Sequence, residues 1–342
     1  MIQFCTLFNK NYLLRALTMI QSLETLEVKF GLYVLAFDDE THQYLVQLNK
    51  KNIVPIRLCD FETEELLTAK KTRTLAEYCW TCTPSIIKYC IEKYQLSACT
   101  YIDADLYFYS DPQCLIDEMG DHAVLISEHR YTQKYNQESS SGKYCVQFMT
   151  FVNNEKGNEV LNWWAKACID WCYARHEDGK FGDQKYLDDW LVRFQGVYVM
   201  QNSGGGIAPW NVQQYKFKWN NQRLKYTLAG MSSWSDAVFY HFHALKLFPE
   251  GIACTSSYDK SEDVVNKVYR PYLREMKTLY ERSPELKKLI PFSDSLAISL
   301  VNPKTAFFYT RSYLGDIKQA LKLIFGVFLR ERYRKKEYIY FN

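Results

Sequence analysis

Several features are missing from the chain, and each absence removes a class of function. No uninterrupted apolar stretch in its 342 residues reaches the roughly 20 that a membrane-spanning helix requires. Neither sign of charge dominates: 42 Lys and Arg face 39 Asp and Glu, and the net of +3 is too small to argue for a nucleic-acid partner. The only C-x-x-C, Cys79-Trp80-Thr81-Cys82, has no second pair at zinc-ribbon spacing and no thioredoxin-like surroundings. The glycine cluster Ser203-Gly204-Gly205-Gly206 has the wrong spacing for a P-loop or a dinucleotide fingerprint. No internal repeat is evident. The opening residues Met1 to Phe8 read as a core strand with no secretory leader, and the Cys count is an odd 11. Both favour reduced thiols and a cytoplasmic location.

An ordinary globular composition remains, 47% apolar and 24% charged, with an aromatic share of 16%. The first half alternates two periodicities. Phe4 to Phe8, Gly31 to Phe37, Ile53 to Leu58 and Cys99 to Ile102 are short apolar runs of the kind that form buried strands. Between them, Asn11 to Leu23 and Glu40 to Leu48 have helical spacing, and Thr83-Pro84-Ser85 is expected to open a helix over Ile86 to Tyr94. This rhythm predicts an α/β fold, a doubly wound and mostly parallel sheet with helices on both faces. Further on, Tyr131 to Lys143 reads as a polar loop. Glu155 to Arg175 reads as a long helix carrying Trp163, Trp164 and Trp171. Asp183-Gln184 begins a helix reaching Leu191, and Val238 to His243 reads as a strand with two histidines on one face. Ser256 to Phe292 is charged and helical, a helical C-terminal extension.

Asp103 and Asp105 interrupt the apolar run Tyr101 to Phe108. Two carboxylates there are costly unless a positive group meets them, and a divalent cation is the simplest one. In an extended segment, residues two apart point to the same side. The pair also follows a strand end, where open α/β sheets bind ligands. His241, with His243 as the fallback, is the candidate third ligand, and imidazole favours Mn²⁺ over Mg²⁺. Asp183 is either a helix N-cap or a carboxylate that orients or deprotonates a sugar hydroxyl.

Taken in order, the strand Phe4-Cys5-Thr6, Tyr101-Ile102-Asp103-Ala104-Asp105, Gly182-Asp183-Gln184-Lys185-Tyr186-Leu187 and His241-Phe242-His243-Ala244-Leu245-Lys246 resemble the metal-dependent glycosyltransferases of the A-type fold. The likeness is greatest to family 8 and related bacterial surface-polysaccharide transferases, and it spans about residues 1 to 250. The resemblance implies Thr6 and Arg73 for the nucleotide, and Asp103, Asp105 and His241 for Mn²⁺ (or Mg²⁺). It implies Asp183 and Gln184 beside the sugars, Lys246 on the diphosphate, and Gln147 as a sugar contact. It further implies a UDP-sugar donor, a glycan or lipid-linked saccharide acceptor, and retention of anomeric configuration. Inversion follows instead if Asp183 acts as the base. The chain departs from the family where Ala244 replaces a Gly and Leu247-Phe248 follow the Lys.

Residues 1–250 are thus expected to form the nucleotide-sugar-binding domain, 251–309 a helical cap, and 310–342 a basic amphipathic tail. The tail sets eight basic residues against three acids beside an apolar stripe, a pattern suited to an anionic membrane surface at the inner membrane face. A terminal helix docked on the core is the alternative. Two rival functions share the fold. A sugar nucleotidyltransferase calls for a glycine-rich basic loop after the first strand, and Phe8-Asn9-Lys10-Asn11-Tyr12 is not one. A non-catalytic glycan-binding protein has no need of the two acids and the late histidine.

Overall fold

Strand β1 (Ile2–Phe8) is almost wholly buried, and the main sheet extends from it on both sides. The computed structural model describes residues 1–248, 252–290 and 338–340. The chain divides into two compact units, residues 1–242 and 243–342.

In the first unit, β2 (Phe30–Ala36), β3 (Ile53–Arg57), β4 (Ala98–Ile102), β5 (Leu106–Phe108), β6 (Val124–Glu128), β7 (Tyr144–Val152) and β8 (Val197–Val199) follow in chain order. Seven strands make one sheet in the order β3-β2-β1-β4-β7-β6-β8. All neighbours are parallel except where β7 pairs antiparallel with β4 and β6. The expected doubly wound, mostly parallel sheet is therefore present. Continuous apolar runs such as Leu32 to Ala36 fit a sheet covered on both faces. Each buried Leu, Ile, Val or Phe side chain there contributes about 1.5–3 kcal/mol.

The helices depart from expectation in two places. The helix expected from Ile86 starts eleven residues earlier and runs over Leu75–Tyr94, with Pro84 inside it. Thr74 sets the start: its hydroxyl accepts from the Glu77 N–H, and the Glu77 carboxylate accepts from the Thr74 N–H. This capping box and a buried face that includes Tyr78, Cys82, Ile86 and Ile87 outweigh the one helical hydrogen bond that proline forfeits. The helix from Glu155 ends at Asp170, because Trp171 turns extended with φ −152° and ψ 120°. Trp164 is core, its ring stacked on Phe151 and edge-on to Trp190.

Smaller elements complete the unit. The segment after Tyr131 holds a 3₁₀ turn (Gln133–Tyr135) and a short helix (Glu138–Ser141). Strands β9 (Tyr215–Asn220), β10 (Arg223–Leu228) and β11 (Ser235–Asp236) form a separate antiparallel sheet. Strand β12 (Phe239–His241) pairs antiparallel with β5. The expected strand Val238 to His243 is thus shorter, and His243 lies outside it.

In the second unit, β13 (Lys246–Phe248), β14 (Ile252–Cys254) and β15 (Tyr338–Tyr340) form a three-stranded sheet. The helix Arg270–Arg282 continues a π turn over Val265–Tyr269, and Val268, Tyr272 and Met276 bury one face at four-residue spacing. Most of the basic tail, and with it the expected membrane contact, lies outside the described residues. No helix among the described residues is long and apolar enough to cross a membrane.

Candidate metal centre and active site

Three chain segments meet at the carboxyl end of β4. Asp103 follows that strand directly, and Leu106 donates to the Asp103 carbonyl at 3.3 Å. The acidic pair therefore sits on a tight turn rather than on the extended segment expected. From the turn, β5 leads away antiparallel to β12, with Leu106 opposite His241 and the Phe242 N–H bonded to the Asp105 carbonyl at 2.9 Å. On the other side the Asp103 N–H donates to the Gln147 carbonyl of β7 at 3.0 Å.

This backbone frame brings one ligand atom from each of Asp103, Asp105 and His241 within 4.8 Å of one another. His241 Nε2 lies 3.1 Å from Asp105 Oδ1 and 3.7 Å from Asp103 Oδ2. Its Nδ1 lies 2.8 Å from Gln147 Oε1, an oxygen that can only accept. That bond places a proton on Nδ1 and turns Nε2 toward the acids, the orientation a metal-binding imidazole needs. Burial alone lowers the His241 pKa. The charge of Asp105, hydrogen bonds donated to Asp105 and Cys145, and the charge of Asp103 overcome it and push it well above the usual value. Burial and the neighbouring Asp105 raise the Asp103 pKa, against the pull of His241. A proton on His241 thus supplies the positive charge that the two acids demand, and a divalent cation fits the same three donors.

Asp183 stands within electrostatic reach of this group. It is buried, and desolvation followed by the charge of Asp103 lifts its pKa to about 7. Thr83 hydrogen-bonds its side chain, and Trp164 Nε1 donates to its carbonyl at 2.9 Å. The preceding Gly182 has φ +54°, with Trp80 only 3.4 Å from where a Cβ would stand. The N-cap of the following 3₁₀ turn is Gln184, not Asp183, and the Gln184 amide donates to the Ser141 carbonyl at 2.7 Å.

Thr6, Arg73, His243 and Lys246 were also expected at the site. Cys5 is level with Tyr101 in the parallel β1–β4 register, so Thr6 comes beside the end of β4, its hydroxyl buried without a partner among the described residues. Arg73 bonds the Ile169 carbonyl at 3.2 Å and lies 3.7 Å over the Tyr173 ring. His243 is exposed and outside the three-residue cluster. Lys246 is exposed on β13 of the second unit.

Two contributors were not anticipated from the sequence. Cys145 hydrogen-bonds His241. The Tyr12 phenol is raised first by burial and then by the charges of Asp105 and Asp103. Neither residue belongs to a short motif; only the pairing of the strands brings Cys145 to the site. A second set of potential ligands, Cys5, Cys90 and Cys99, is fully buried in the apolar core. Burial holds the Cys5 and Cys90 thiols well above their usual pKa, whereas Cys99, despite the same burial, is lowered to about 5 by hydrogen bonds from Cys5 and Cys90. Burial also pushes Cys79 of the C-x-x-C up to about 12.

No family model matches the chain. YfnF of Bacillus subtilis strain 168, an uncharacterised protein, is 31% identical over 252 residues, covering 71% of this chain and 82% of YfnF. The chain belongs to the YfnF family. YfnD of the same organism, also uncharacterised, is 27% identical over 311 residues, covering 89% of this chain and 97% of YfnD. Among solved structures, the galactosyltransferase LgtC in complex with donor and acceptor sugar analogues matches 84% of this YfnF-family chain and all of its own. Its TM-score is 0.53 at 12% identity. At that identity the match establishes the fold alone, the A-type glycosyltransferase fold.

Proposed function

We propose that the chain is a glycosyltransferase moving a sugar from a nucleotide-diphosphate sugar, with UDP as the nucleotide, to a glycan or lipid-linked acceptor. One observation carries this reading: Asp103, Asp105 and His241 converge within 4.8 Å on an A-type glycosyltransferase fold. Two carboxylates and an imidazole whose Nδ1 is already occupied suit Mn²⁺ better than Mg²⁺, which prefers an all-oxygen shell. When bound, the metal acts as a Lewis acid that stabilises charge on the departing diphosphate.

The chain's own residues do the rest. Gln147 fixes the His241 tautomer through the 2.8 Å bond. The Gln147 Nε2 and the Thr6 hydroxyl are buried without partners among the described residues. Groups left so are costly, and a bound donor would supply partners for both: the nucleotide for Thr6 and the sugar for Gln147. Asp183, with a pKa near 7, is poised to hold or release a proton at a sugar hydroxyl. Retention of configuration is the proposed outcome, with Asp183 orienting a hydroxyl rather than deprotonating it. Lys246 and Arg73 are proposed for the diphosphate and nucleotide, and residues 310–342 for an anionic membrane surface.

Equilibrium binding of UDP in Mn²⁺ and in EDTA tests the reading. Binding in Mn²⁺ that falls at least tenfold in EDTA supports it, and equal binding in both buffers contradicts it.

A further inference from the structure

A cavity lies in the first unit, away from the acidic turn. Strands β5 and β12 run side by side. At one end are Asp105 and His241; at the other the Tyr109 N–H donates to the Val238 carbonyl at 2.8 Å. Val238 is three residues from His241, about 10 Å along a strand. There the cavity, of about 660 Å³, opens between the Tyr109–Asp111 turn, the Gln201–Ser203 loop and strands β10 and β11. Its volume falls in the range of small-molecule sites.

The lining is polar, with two carboxylates, Asp111 and Asp236, and one cation, Arg223. The Tyr226 and Ser203 hydroxyls are 2.7 Å apart. Asp236 presents a carboxylate held by Lys225 at 2.7 Å and by Arg223 at 3.5 Å. Tyr109 lines the cavity and meets Trp219 edge-on with ring centroids 5.9 Å apart; Trp219, not itself a lining residue, is 42% exposed. Hydroxyls and carboxylates beside the Tyr109 ring, with Trp219 packed against it, match a ligand with many hydroxyls and one apolar face. In the lining Arg223 stands against two carboxylates, Asp111 and Asp236, so the lining carries no surplus positive charge to draw a phosphate.

The wall of this cavity is also built tightly. A Cβ on Gly204 would stand 2.6 Å from the Asp236 carbonyl and 3.1 Å from Tyr226, so only glycine lets the loop close against β10 and β11. Arg130 holds the same loop by donating to the carbonyls of Met200, Asn202 and Gly205 at 2.6, 3.2 and 2.8 Å.

We infer that this cavity is a second saccharide site, for a neutral sugar, separate from the proposed transfer centre. A sugar lodges with its hydroxyls on Asp236, Tyr226 and Ser203 and with its apolar face toward Tyr109 and Trp219.

Saturation-transfer NMR on the full chain in EDTA tests this. The probes are the methyl glycosides of glucose, galactose, N-acetylglucosamine and rhamnose, with inorganic phosphate as a separate probe. At least one glycoside is expected to receive saturation and phosphate none. The affinity should fall about tenfold in both Trp219→Ala and Tyr226→Phe, a change of about 1.4 kcal/mol, and hold in Asp105→Asn. Trp219 is exposed and Tyr226→Phe removes one oxygen, so both variants keep the fold, which circular dichroism checks. No saturation of any glycoside overturns the inference. So does binding that survives both variants, is lost in Asp105→Asn, or goes to phosphate instead.

Discussion

His241 Nδ1 donates to Gln147 Oε1 across 2.8 Å, joining residues 94 positions apart. This bond decides which imidazole nitrogen faces Asp103 and Asp105. Gln147→Leu removes the acceptor and lets the ring turn or change tautomer. Outer partners of this kind typically contribute 10–100-fold to metal affinity. Mn²⁺ affinity measured by calorimetry is therefore expected to fall 10–100-fold in Gln147→Leu, with thermal stability changed far less.

Gly206 stands against the same glutamine. Its φ is +88°, and an added Cβ would lie 3.1 Å from Gln147 Nε2. Gly206→Ala therefore strains the backbone by about 1–3 kcal/mol and pushes the amide off His241. Chemical denaturation should show that loss of stability, and Mn²⁺ binding should weaken in the same variant. Gly120 also has a positive φ, +53°, but nothing within 4 Å. Gly120→Ala should cost stability without touching the metal site.

Asp183 gives the fold a pH dependence of definite sign. Its native pKa of about 7 lies above the ordinary aspartate value of 3.8, so between those two values the native state holds a proton that the unfolded state has lost. Stability then falls as pH rises through this window and levels off above it, by about 4 kcal/mol at most. Melting temperatures from pH 4 to 8 in EDTA should show a smaller decline in Asp183→Asn than in the wild type. An identical slope in both would mean that Asp183 ionises as an ordinary carboxylate.

Glu77 works in the opposite direction. Its carboxylate accepts from the N–H groups of Ala174 and Thr74 and from the Thr74 hydroxyl. Burial opposes ionisation, but these bonds hold its pKa below the usual value. Its stabilisation is present above the unfolded pKa and is lost as pH falls through the native one. Glu77→Gln is expected to cost about 1–2 kcal/mol at neutral pH and little at pH 3, as read by urea denaturation.

The parallel sheet was legible because fully buried strands leave continuous apolar runs, as Leu32 to Ala36 does. Asp103 and Asp105 were legible because charge in such a run requires a counter-charge. The choice between His241 and His243 was not, since two residues of one local pattern end in different settings: His241 buried on β12, His243 exposed beyond it. Pro84 misdirected the helix boundary. Its local rule is sound, but the Thr74–Glu77 capping box and the buried face outweighed it, and that box was itself visible as T-x-x-E. Cys145 and the Arg130 clamp had no sequence signal, because strand register and a left-handed backbone at Arg130, φ +50°, place them.

Turnover of nucleotide sugars tests the central claim most directly. UDP-sugars incubated with the full chain should be hydrolysed slowly in Mn²⁺. Hydrolysis should stop in EDTA, resume when Mn²⁺ is restored, and be absent in Asp105→Asn. Turnover that persists in EDTA and in Asp105→Asn, or no turnover of any nucleotide sugar, would contradict a transfer site built on Asp103, Asp105 and His241.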